Sequence, residues 1–334
     1  MENNATILIS RTDSIGDVVL TLPLAGIIKQ FIPKSRILFL GRNYTKDVIE
    51  LSEHVDEFIN YDTILKLPKQ EQVQAFKNLH ITHIIHVFPD RHIAQLAKQA
   101  NIKHRIGTTN RIWHWLTCNI KISLSRKNSD LHEAQLNTKL LVPLGIDKPF
   151  SLEELSSYYG CTKIPLIEKS NIELIDSNKK IIILHPKSKG SAREWGLDNF
   201  SKLIQQLDKN KYQICISGTA QDGELLRDFI YSHSGITDLT GKLSLAQFIA
   251  FINHSETLVA ASTGPLHIAA ALGKQAIGLF APMRPIHPGR WKPLGKRATY
   301  LALDKNCNDC RKTMKCHCIQ AIQTLEVINL IEQA

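Results

Sequence analysis

Short apolar runs alternate along this chain with longer stretches whose apolar residues recur at helical spacing. In the first half, residues 6–10, 36–40, 57–61 and 82–87 read as strands, with a shorter one near 104–107. Residues 180–185, 213–217, 257–261 and 275–280 restart the pattern in the second half. Leu20, Leu24, Ile27 and Phe31 predict a helix, and Pro23 inside it predicts a kink or irregular first turns. Residues 131–144 read as a helix stopped by Gly145. Further helices are expected near 198–208, 222–232, 244–253 and 265–272. Strands separated by helices imply parallel pairing through right-handed crossovers, an α/β fold.

A polar, irregular stretch follows Gly145 and runs to about residue 178, so the boundary is drawn there, giving domains 1–165 and 166–334. The stretch 325–333 has no evident place in the second sheet and is expected to pack back on the first domain. The length of 334 residues suits two domains, each able to bury its own core. The net charge of +10 favours an acidic partner: nucleic acid, an anionic membrane or a phosphorylated substrate. Met1-Glu2-Asn3-Asn4 carries no basic segment ahead of the apolar stretch, and no run reaches the length of a membrane span. A cytoplasmic protein is expected, peripheral at most to the cytoplasmic face of an inner membrane.

Two glycine-marked turns follow strands and open helices. Arg11-Thr12-Asp13-Ser14-Ile15-Gly16-Asp17 carries carboxylates. Ser262-Thr263-Gly264-Pro265-Leu266-His267 carries small residues with free amides, and an Ala-rich helix follows. Unpaired amides and the helix dipole at such an end favour phosphate oxygens. The same residues also read as a well-capped structural helix. A loop after the strand at 180–185 holds Lys187, Lys189 and Arg193 with Ser188 and Ser191, suitable donors to phosphate or simply a solvated basic loop. Asp222 follows the strand at 213–217 and suits either a ribose hydroxyl or a helix start. There is no G-x-G-x-x-G and no G-x-x-x-x-G-K-[ST], which argues against a dinucleotide dehydrogenase and a P-loop ATPase.

Residues 11–23 (RTDSIGDVVLTLP), 185–195 (HPKSKGSAREW) and 262–272 (STGPLHIAAAL) resemble the heptosyltransferase-like glycosyltransferases of family 9. The resemblance implies the GT-B fold, two Rossmann-like domains with the active site in the cleft between them. It implies an inverting, metal-independent transfer of a sugar, typically from ADP-heptose, to the lipopolysaccharide inner core. No Asp-x-Asp metal motif is present, as that implies. By the resemblance Asp17 is the general base and Arg11 a basic position beside it. Asp13 ranks second as base, and its other role is to hold the turn. Lys187, Ser188 and Arg193 match contacts to the diphosphate, Asp222 matches a ribose-binding acid, and Thr263, Gly264 and His267 match the diphosphate turn. One departure stands out: heptosyltransferases usually carry an acid where this chain has Ser262, so the donor sugar is open.

Residues 91–127 contain eight Lys or Arg, Arg111 among them, and no Asp or Glu. With Trp113 and Trp115 the stretch suits an anionic, amphipathic acceptor such as a phosphorylated glycolipid, or a solvated surface. Nucleic acid would suit it too, although none is expected as a partner. Cys307, Cys310, Cys316 and Cys318 are read as reduced structural thiols, with a small structural zinc site as the alternative and no other cofactor expected. The competing function is a non-catalytic nucleotide or nucleic-acid binding module on the same fold.

Overall fold

The computed structural model describes residues 5–125, 129–284, 286–303, 307 and 315–333. The chain divides into two compact units, Met1–Lys163 and Ile164–Ala334. The first unit is built on β1 (Thr6–Ser10), β2 (Arg36–Gly41), β3 (Glu57–Asn60), β4 (His83–His86), β5 (His104–Thr108) and β6 (Ile120–Ile122). They form one parallel sheet in the order β3-β2-β1-β4-β5-β6. In β1, Ile7, Leu8 and Ile9 are all fully buried, because helices cover both faces of a parallel sheet. That is why this strand reads as a continuous apolar run instead of alternating.

The second unit repeats the plan with β7 (Lys180–His185), β8 (Tyr212–Ile216), β9 (Thr237–Asp238), β10 (Thr257–Ala261), β11 (Gln275–Leu279) and β12 (Ala298–Leu301). Its parallel sheet runs β12-β11-β10-β7-β8-β9. In each unit the first three strands extend the sheet in one direction and the last three in the other. The order therefore reverses between β1 and β4, and again between β7 and β10. Such a reversal opens a crevice beyond the carboxyl ends of the two strands.

The predicted helix around Pro23 is two helices, Ile15–Val19 and Pro23–Phe31, with the proline opening the second, where its missing N–H costs nothing. The stretch before Gly145 is also divided. An α-helix at Glu133–Thr138 passes into a 3-10 helix at Lys139–Leu144 that contains Pro143, and Gly145 ends it at φ +76°. The terminal helix, Thr324–Glu332, does not follow expectation. Val327, Ile328 and Ile331 join the core of the second unit with Trp195, Phe200 and Leu203. Gln275 Nε2 donates to Leu330 O at 2.6 Å and ties the helix to β11. Among the described residues no helix is long and apolar enough to cross a membrane.

Candidate active site

The loop leaving β1 lies at the first reversal. Arg11 is buried there and spreads its guanidinium over three carboxylates. Nε donates to Asp13 Oδ1 at 2.6 Å, Nη1 to Glu133 Oε1 at 3.1 Å, and Nη2 to Asp17 Oδ1. Ser14 Oγ donates to the other oxygen of Asp17. Asp17 sits in the first turn of the Ile15–Val19 helix, its side chain 18% exposed, whereas Glu133 is 1% exposed. Burial works against the Arg11 charge, yet the three carboxylates outweigh it and push its pKa above the usual value. Asp13 goes the other way for an acid: burial and the neighbouring Asp17 raise it to about 6 against the pull of Arg11. One cation cannot fully balance three anions in a low-dielectric setting, so the most readily protonated member titrates late.

Glu133 was not singled out in the sequence, which lies 122 residues from Arg11 along the chain. It arrives through the Glu133–Thr138 helix, held by a capping box between His132 and Gln135. Asn137 Nδ2 fixes that helix by donating to Thr21 Oγ1 and Leu20 O, at 3.3 and 3.4 Å. Arg111 makes none of these contacts. It precedes the Ile112–Thr117 helix, exposed, with its guanidinium 5.7 Å from the Trp113 ring.

At the second reversal the loops after β7 and β10 leave adjacent strands, Ala260 pairing with His185. Thr263 caps the Gly264–Ala271 helix by position but without a side-chain hydrogen bond. Its hydroxyl is buried, and among the described residues it has no partner. Elsewhere in this unit Thr219 and Ser244 do use their hydroxyls as caps. Free amides at a helix start without a side-chain cap are groups that can hydrogen-bond an anion. Ser262 and Gly264 beside it are half-buried, and His267 is buried in the first turn.

The loop after β7 is less free than its composition implies. Lys187 Nζ pairs with Glu194 Oε2 at 2.7 Å, and Glu194 Oε1 accepts from the Ser188 amide at 2.9 Å and its hydroxyl at 3.2 Å. Glu194 was overlooked as a functional residue, although it stood beside Arg193 in the motif. It holds the loop together through Lys187 and Ser188. Lys189 and Gly190 form the loop tip with φ of +48° and +81°. Trp195 anchors the far end: it is buried, packs edge-on to Phe200 and donates from Nε1 to Ile322 O at 3.0 Å. Gly196, at φ +97°, then turns the chain into the Leu197–Gln206 helix.

Asp222 proves to be a helix start. Oδ2 accepts from the Thr219 amide at 2.8 Å and the Thr219 hydroxyl at 2.7 Å, and the side chain is buried. Next to it His185 Nδ1 meets Ser217 Oγ at 3.0 Å, and burial lowers that imidazole to about 4. After β11, residues 280–284 and 286–287 lie at the same edge of the sheet and include Arg284 and His287, which were not singled out in the sequence. The signal was available, since this loop also follows an apolar strand.

Cys307, Cys316 and Cys318 are buried in the second unit's core. Cys310 lies outside the described residues, and among those described no group of three His, Cys, Asp or Glu is arranged to hold a metal.

Two doubly wound parallel units of this kind make up the GT-B architecture of glycosyltransferases. The chain belongs to glycosyltransferase family 9 (heptosyltransferase), whose model matches residues 91–319. A Haemophilus influenzae protein described as a glycosyltransferase is 26% identical over 315 residues, covering 89% of this chain and 88% of the relative. Among solved structures, a family 9 glycosyl transferase from Veillonella parvula superimposes with a TM-score of 0.78 at 18% identity, covering 99% of this chain and 98% of the other. The ADP-heptose lipopolysaccharide heptosyltransferase II of Escherichia coli gives 0.76 at 16% identity, covering 98% and 99%. Family membership makes this chain an enzyme, not the non-catalytic binding module that its basic stretch also allowed.

Proposed function

We propose that the enzyme transfers a heptose or related sugar from a nucleoside-diphosphate donor, ADP-heptose by family, to a lipopolysaccharide core or similar envelope saccharide at the cytoplasmic face of the membrane. The observation that carries the donor half is the unpartnered Thr263 hydroxyl at an uncapped helix start. The likeness to the Escherichia coli ADP-heptose lipopolysaccharide heptosyltransferase II supports both donor and acceptor class.

The reaction is a single displacement with inversion. The acceptor oxygen forms its bond to the anomeric carbon as the bond to the diphosphate oxygen breaks. Asp17 takes the hydroxyl proton. Charge gathering on the leaving diphosphate is met by the Thr263 hydroxyl, the Gly264 amide, His267, Arg193, Ser188 and Lys187, the last released from Glu194 as phosphate arrives. Asp222 has one oxygen committed to its own cap, which leaves Oδ1 for a ribose hydroxyl. A second reading keeps the chemistry and changes the sugar: Ser262 stands where the family's acid contacts donor hydroxyls, and a hydroxyl cannot replace a bidentate carboxylate.

The test is the Asp17→Ala variant with calorimetry of ADP, UDP and GDP. Turnover should fall about 10²–10⁴-fold while ADP affinity stays at the wild-type level. Undiminished turnover would remove Asp17 as base, and absence of any nucleoside-diphosphate binding to the wild type would remove the donor assignment.

A further inference from the structure

The Ile112–Thr117 helix carries three large apolar side chains that nothing in the first unit covers. Ile112, Trp115 and Leu116 are 82%, 60% and 71% exposed. They fall at i, i+3 and i+4, one face of the helix. The opposite face is seated firmly: His114 and Thr117 are buried, and His114 Nδ1 meets the Thr108 amide at 3.0 Å. Trp115 satisfies its own polar edge by donating to Thr109 O at 3.0 Å, so the indole is held outward as a fixed apolar plate.

Cations ring this face. Lys98 Nζ donates to Leu116 O at 2.9 Å, and Lys121 Nζ lies 5.3 Å from the Trp115 ring centroid. Arg91 and Lys98, from the Arg91–Gln99 helix, join Gln95, Ile112, Trp113 and Leu116 around a groove of about 770 Å³. No Asp or Glu occurs from residue 91 to 125. Asp90, just before, is turned inward as a helix cap and accepts from the Ile93 amide at 2.9 Å.

We propose that this face docks on a bilayer containing anionic phospholipid: Ile112, Trp115 and Leu116 enter the headgroup region, and Arg91, Lys98 and Lys121 meet lipid phosphates. Exposed apolar side chains rimmed by cations, with Trp among them, are the composition that interfacial helices use. Charge complementarity selects the occupant. A second copy would bring two cationic faces together, whereas an anionic surface neutralises each. Ile112 and Leu116, two of the three exposed side chains, give nucleic-acid bases nothing to stack on, whereas all three suit the headgroup region. The inference is independent of the donor and acceptor assigned above.

Full-length protein is sedimented with vesicles of phosphatidylcholine alone and with about a quarter phosphatidylglycerol. Wild type should bind the anionic vesicles, less at high salt, and leave the neutral ones. Trp115→Ser/Leu116→Ser should lower the partition coefficient at least about tenfold, and each of Arg91→Gln and Lys98→Gln about fivefold. Melting temperatures should stay at the wild-type value, since these side chains are exposed. Equal binding to neutral vesicles, no binding to either, or apolar variants that sediment like wild type would overturn the proposal. So would a concentration-dependent dimer, or retention by a DNA duplex, that the Trp115/Leu116 substitutions abolish while vesicles bind neither protein.

Discussion

Arg11 is the residue on which the carboxylate cluster of the first unit turns. A buried guanidinium facing Asp13, Asp17 and Glu133 leaves negative charge in excess, and such arrangements occur where function and stability pull apart. Asp13 carries the consequence. Its folded-state pKa of about 6 lies above the ordinary 3.8. Its protonated form is therefore favoured by folding, and that contribution is complete below pH 3.8 and lost as pH rises through 6. Asp13→Asn removes an anion that folding disfavours at neutral pH. The variant should be more stable than wild type by about 1–3 kcal/mol at pH 7.5, with the gain vanishing near pH 4. Urea unfolding at the two pH values measures it, and an equal effect at both would refute the assignment. The sequence showed Arg11, Asp13 and Asp17 because they are local. It could not show Glu133, because pairing over such a separation is made by tertiary packing.

At the scale of elements, the central strands were legible, and three of the four edge strands were not. β1, β7, β10 and β11 are buried on both faces, so their composition is unmistakable. β6, β9 and β12 went unrecognised; all three lie at sheet edges, and none of their residues is buried. A strand that buries one face weakly carries little periodic signal. The terminal helix was misplaced for a related reason: its apolar face was plain, but which surface it covers depends on Trp195 and Phe200, far away in sequence. That contact also anchors the loop after β7. Trp195→Ala should cost about 3–5 kcal/mol, read as a lower urea midpoint for the second unit, and should free the terminal helix to exchange amide protons faster. A variant as stable as wild type would show that the loop is held elsewhere.

Across the whole molecule, acid sensitivity traces to groups buried without charge. His86 is fully buried, and among the described residues neither ring nitrogen has a hydrogen-bond partner. Burial, aided by His114 and Arg105, lowers it to about 3. The neutral form is favoured by folding, so its contribution is complete above pH 6.5 and is lost as pH falls towards 3. His86→Leu should flatten the fall of first-unit stability between pH 6 and 4 by about 1.4 kcal/mol per pH unit; an unchanged slope in urea titrations would exclude His86 as the source. The fold class and the two switch-point loops were readable because strands and helices alternate in both halves and glycine-marked turns follow the strands at 6–10 and 257–261; the structure adds that both units follow one strand order. That shared order has a consequence for how such an enzyme diversifies. A single architectural plan is used twice, and the two crevices were given opposite polarity, one anionic around a guanidinium, the other electropositive at a helix start. Under the proposed roles, donor preference at Ser262 and proton acceptance at Asp17 lie on different units, so a substitution at Ser262 leaves the unit that carries Asp17 unchanged.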